Sequence, residues 1–149
     1  MNYIIENFPI QTTEYMRRIG AYGIGNYELM TAMKEWAEKK VLFNDSIIYG
    51  IAQDNPDITP PEQCRYDVCL IVEPNLQLEN DVQHGEIQGG KYAVFTIPHT
   101  AESVQEFWGL FMNILQKENL QYDLGKPILE RYKHKLVEDG KCEFCVPII

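Results

Sequence analysis

One carboxylate stands where chemistry could follow, in the stretch GKPILERYKHK from Gly125 to Lys135. Read as a strand, this stretch puts Ile128, Glu130, Tyr132 and His134 on one face and Leu129, Arg131, Lys133 and Lys135 on the other. The second face is cationic and suits water. Glu130 then lies between an isoleucine and a tyrosine on the side meant for burial, where an unpaired carboxylate is costly. Three readings stay open. A register slip of one residue returns Glu130 to solvent. A buried pairing with Arg17, Arg18, Arg65 or a tyrosine hydroxyl makes it structural. Alternatively, Glu130 is the single charged group of an apolar, aromatic-lined cavity. Ionised, it would attract lipophilic cations with help from aromatic faces. With its pKa raised by desolvation, it could serve as a general acid or base.

The other reactive residue types are less suggestive. Cys142 and Cys145 have C-x-x-C spacing, but in an extended strand they point to opposite faces and cannot share a metal. His84, His99 and His134 lie in separate segments, with surface placement expected. GIGN and QGG lack the strand-to-helix context and the lysine of a phosphate loop. No serine sits in a G-x-S-x-G elbow. Neither a metal nor a cofactor is expected.

The elements that must position Glu130 follow from periodicity. NYIIENFPI and EYMRRIGAYG read as strands. NYELMTAMKEWAEKKV reads as an amphipathic helix capped by Asn26, with Leu29, Met33, Trp36, Ala37 and Val41 on one side. SIIYGIA and RYDVCLIV are strands around a proline-rich loop, QDNPDITPPEQ. The second half repeats the order: GKYAVFTI, the helix SVQEFWGLFMNILQKENL, PILERYKHK and KCEFCVPI. In that helix Val104, Phe107, Trp108, Phe111, Ile114 and Leu115 form a stripe that by pattern alone suits packing, and Ser103 and Glu106 have capping-box spacing. Gly20-Ala21-Tyr22 answers Gly90-Lys91-Tyr92, and each helix carries one tryptophan, Trp36 or Trp108. An α+β fold follows, a tandem β-α-β-β repeat with antiparallel sheets. The pseudo-repeats span about residues 1–75 and 88–149 of a single domain, with a ligand cleft between them.

Composition narrows the function classes. The 149 residues are 45% hydrophobic and 23% charged, as in a folded globular domain, with a formal net charge of −9. That charge disfavours a protein that tracks phosphate backbones, and the cations of RYKHK are too few to reverse it. No apolar run approaches the roughly 20 residues that cross a bilayer, and no signal segment is visible. A cytoplasmic protein with reduced Cys64, Cys69, Cys142 and Cys145 is expected.

Several blocks together resemble a known family. YGIAQDNPDITPPEQCRYDVCL, GKYAVFTI, the helix around EFWGLF, ILERY and the closing VPI resemble the gyrase-inhibitory-protein-like (GyrI-like) small-molecule-binding domain. The same domain is the effector-binding part of AraC-type and MerR-type multidrug-responsive regulators. The resemblance implies an amphipathic cleft with Glu130 at its floor and Tyr49, Tyr66 and Trp108 as pocket aromatics. It also implies a small amphipathic ligand, cationic or aromatic, bound by a stand-alone sensor or sequestering protein. Hydrolysis of cyclopropane-bearing toxins by Glu130, and contact with gyrase or a regulator, are its alternative implications. A DNA-binding helix-turn-helix is not expected within this length. Where relatives often carry a tyrosine in the closing strand, this chain has Cys145, so a hydroxyl that would hold Glu130 ionised is expected to be missing.

Overall fold

A computed structural model describes residues 1–39, 47–72 and 83–149. Val41 and Ser46, at ends of the expected first helix and third strand, lie outside the described residues. The elements run β1 (Tyr3–Phe8), β2 (Gln11–Ile19), α1 (Ile24–Lys39), β3 (Ile47–Ala52), β4 (Arg65–Ile71), β5 (Gln83–Ile87), β6 (Gly90–Pro98), α2 (Ala101–Lys117), β7 (Leu129–Lys133), α3 (His134–Glu138) and β8 (Lys141–Ile148). This is the expected α+β class. The strands form one curled antiparallel sheet rather than separate sheets, in the order β1-β6-β8-β7-β3-β4-β2-β5. The joint is the β3–β7 pair, where Gly50 stands opposite Glu130. Exchanging β1 to β4 with β5 to β8 reverses this order onto itself, so β1 completes the edge beside β6 and β5 the edge beside β2.

Both long helices cover one face of the sheet. Phe107, Phe111 and Leu115, spaced by one helical turn, bury against Phe95, Phe144 and Val146. Each such side chain contributes roughly 1.5–3 kcal/mol of burial. Met33 and Ala37 of α1 bury against Ile48, Val68 and Leu70, with Leu29 and Trp36 packed alongside. Both helix starts differ from expectation. The Thr100 side chain accepts from the Ser103 amide and caps α2, three residues before the expected Ser103. Asn26 is inside α1, where its Oδ1 accepts from Arg18 Nη1 at 2.6 Å.

The other face is buried by the sheet's own curl. Phe8, Tyr49, Ile51, Cys69, Ile87, Tyr92, Val94, Leu129 and Cys145 meet there. This corrects the reading of Arg131 as part of a solvated cationic face. Arg131 is 4% exposed and its neighbour Leu129 is 2% exposed. The guanidinium is satisfied by Glu143 (2.9 and 2.8 Å) and by Glu6 of β1 (2.7 Å). The strand also ends at Lys133, so His134 opens α3 and pairs with Glu138 at 3.0 Å instead of extending Glu130's face. All four cysteines are buried and free, with Cys142 and Cys145 in cores on opposite faces.

Candidate functional site

Glu130 sits mid-strand in β7, opposite Gly50 of β3 and Phe144 of β8, on the helix-covered face. Two hydroxyls approach the same carboxylate oxygen. Tyr132 Oη donates to Oε2 at 2.8 Å, and Tyr66 Oη, from β4, lies 3.4 Å from it. Tyr66 reaches across β3 only because residue 50 is glycine. A β-carbon there would collide with the Tyr66 hydroxyl and stand 3.2 Å from Glu130 Oε2. Behind Tyr66, the Tyr22 ring meets it edge-on at 6.3 Å, and the Tyr22 hydroxyl binds the Asp54 and Arg65 carbonyls. Asp54 in turn holds the Arg65 amide and guanidinium. The DNPDITPPEQCRY block thus fixes the strand that presents Tyr66.

In front of the carboxyl group lies a cavity of about 190 Å³. The sheet side supplies Tyr66, Glu130 and Tyr132, and the turn before α2 supplies His99. The α1 side supplies Asn26, Tyr27, Met30, Thr31 and Lys34, residues recurring at three- and four-residue spacing along one helix face. Tyr27, Thr31 and His99 are exposed at the rim, whereas Asn26, Met30 and Lys34 are half-buried.

Burial pushes the Glu130 pKa up, and the hydrogen bonds from Tyr132 and Tyr66 pull it partly back. Burial and the adjacent carboxylate raise the pKa of both tyrosines, so they stay protonated donors. His99, its ring 5.4 Å from that of Tyr132, has its pKa lowered by partial desolvation and by the charge of Lys34. No arginine neutralises Glu130: Arg17 holds Asp67 at 2.6 Å, Arg65 holds Asp54 at 3.0 Å, and Arg18 binds Ala21 and Asn26. Of the open readings for Glu130, the register slip and the arginine pairing are therefore set aside, and the pairing with tyrosine hydroxyls is the one observed, beside a cavity.

Tyr66 and Glu130 are brought together, and two other expected residues are placed apart from them. Trp108 is 44% exposed on α2, against Phe107, Phe111 and Phe144, and is not among the cavity's lining. It does share Glu130's side of the sheet, because Phe144, its contact at 5.4 Å, is the cross-strand neighbour of Glu130. Tyr49 is a correction. It pairs with Arg131, so it points to the opposite face, where it is 1% exposed in the curled core. Cys145 also lies on that face, opposite Leu129, so a hydroxyl at residue 145 would not reach Glu130, and Tyr66 and Tyr132 supply the donors instead. The sequence reading missed Gly50, Tyr27, Met30 and Lys34. The only sequence signal for the last three is their shared helix face, which as an isolated pattern reads as solvent-facing. Among the described residues no cluster of histidine, cysteine or carboxylate groups is arranged to hold a metal, and no helix is long and apolar enough to cross a membrane.

A curled antiparallel sheet with two helices over one face and a carboxyl-floored cavity between the first helix and the sheet defines a ligand-binding domain. The chain belongs to the GyrI-like small molecule binding domain family, which it matches over residues 1–149. It is 42% identical to the SPbeta prophage-derived protein YosT of Bacillus subtilis (strain 168), over 99% of both chains. It is 27% identical to the DNA gyrase inhibitor of Escherichia coli (strain K12), over 94% of this chain and 90% of that protein. Among solved structures, the EcmrR C-terminal domain superposes with a TM-score of 0.74 at 12% identity, covering 100% of this chain and 99% of that one. SAV2435 bound to tetraphenylphosphonium superposes with a TM-score of 0.63 at 12% identity, covering 100% of this chain and 94% of that one.

Proposed function

We propose that this protein binds a small amphipathic molecule in the cavity between α1 and β7, as a sensor or sequestering domain. Glu130 fixes the polarity of the ligand, and Tyr66, Tyr132 and Met30 supply contact surface. The observation that carries this reading is a carboxyl group with no cationic partner among the described residues, held by two tyrosine hydroxyls on one oxygen at the floor of a cavity. A group so placed is costly unless something completes it. Trp108, one ring beyond Glu130 past Phe144, would extend the wall for ligands longer than the cavity. The test compares a cationic aromatic dye with a neutral one of similar shape, by fluorescence titration. Glu130→Gln should weaken the cationic dye about tenfold or more and leave the neutral dye within about twofold, a gap of at least about 1 kcal/mol. Equal loss for both dyes would remove the charge role assigned to Glu130.

The raised pKa of Glu130 favours one second reading. A protonated carboxyl facing a cavity is also a general acid, able to open a strained electrophile such as a cyclopropane-bearing toxin. Mass spectrometry of the toxin after incubation separates the two, because a binder returns its ligand unchanged and a hydrolase returns it with the mass of one water added.

A further inference from the structure

Lys34 and Glu130 line the same cavity from opposing walls, and among the described residues neither is paired with an opposite charge. Lys34 is half-buried on α1 and makes no ion pair among the described residues. Glu130 receives only tyrosine hydroxyls. The remaining polar groups divide in the same sense. On the helix side, Asn26 spends its Oδ1 on Arg18, which leaves its amide N–H groups as donors on the same lining of the cavity, two turns before Lys34. On the sheet side, both hydroxyls bind Oε2, and neither binds Oε1 of Glu130. The cavity therefore has an acceptor floor and a donor wall.

We infer that the site selects a dipolar ligand, a single-ring aromatic compound with a cationic group set against Glu130 and a carboxylate set against Lys34. This rests on the small-molecule reading above and narrows its ligand class. A ligand carrying only a cation would satisfy Glu130 but enter against the field of Lys34, whereas a zwitterion of the right length satisfies both. Size points the same way. A cavity of about 150 Å³ holds a benzene molecule, so about 190 Å³ holds one ring and a few further atoms.

The experiment is calorimetric titration of the full chain with benzylamine, benzoate and 4-(aminomethyl)benzoate. The zwitterion should bind about tenfold more tightly than benzylamine. Lys34→Gln should close that gap by weakening the zwitterion and modestly tightening benzylamine, and Lys34→Arg should keep it. Benzylamine binding as tightly as the zwitterion to the unaltered protein would overturn the inference while leaving the role of Glu130 intact. Equal weakening of both ligands by Lys34→Gln would overturn it too, as the mark of a merely structural lysine. Failure of all three probes to bind would overturn it together with the cavity reading beneath it.

Discussion

Two glutamates illustrate what burial does to a carboxyl group with and without company. Glu130 has two hydroxyl donors and a cavity in front of it, whereas Glu14 of β2 is fully buried with neither oxygen hydrogen-bonded. Burial raises the Glu14 pKa, against the opposing charge of His84. Its folded pKa thus exceeds the ordinary value of about 4.3, and the folded state binds the extra proton. Stability tied to this group is full below the unfolded pKa and is lost as pH rises through the folded one. Glu14→Leu should therefore stabilise the protein at pH 7 by about 1–3 kcal/mol, the cost of an unsatisfied buried group. Urea denaturation checks this, and a lower midpoint for the variant would contradict it. Tyr132→Phe should act oppositely on the site. Loss of the 2.8 Å bond raises the Glu130 pKa further and weakens a cationic ligand several-fold at pH 7. Unchanged affinity in the same titration would remove Tyr132 from the site.

At the level of elements, the register of β3 against β7 decides both the site and much of the stability. Gly50→Ala places a methyl group where the Tyr66 hydroxyl stands, so it should displace Tyr66, weaken ligand binding at least tenfold and cost about 1–3 kcal/mol. Ligand affinity equal to that of the unaltered protein would contradict the packing argument. On the opposite face, Arg131 ties β7 to β8 through Glu143 and to β1 through Glu6. Arg131→Ala removes both guanidinium bonds to Glu143 and leaves that carboxylate only Lys133, 3.6 Å away, so it should cost about 1–3 kcal/mol in thermal or urea unfolding. A loss below about 1 kcal/mol would place Arg131 among surface ion pairs. The same strand shows what the sequence could and could not disclose. Alternation put Glu130 and Tyr132 correctly on one face, because that face depends on local period. The burial of Arg131 depends on the sheet curling over its other side, a non-local event in which Phe8, far along the chain, packs under the guanidinium at 5.1 Å. The role of Gly50 was hidden for the same reason, since Tyr66 reaches it from a neighbouring strand. The α2 stripe was legible because large aromatics recur each turn, while the Thr100 cap lay just before the window read as helical.

For the whole molecule, the order of strands was only partly legible. β5, with the sequence QHGEI, has no alternating apolar face and was missed, yet it supplies the counterpart of β1 at the opposite edge. Because β3 and β7 join the halves into one sheet, we expect a single cooperative unfolding transition. Trp36 lies on α1 and Trp108 on α2, so single-tryptophan variants report each half separately. Coincident midpoints are predicted, and midpoints separated beyond error would show that the halves unfold as distinct units. The ligand cavity of this fold has the Glu130 carboxyl as its responsive floor. The most direct test of that role is the pH titration of the side-chain carboxyl carbon of Glu130 by NMR, with and without phenyltrimethylammonium. Glu130 should titrate above the ordinary carboxylate range in the free protein and shift downward when the permanent cation binds. Titration near 4.3, the ordinary glutamate value, with no response to the cation, would contradict it.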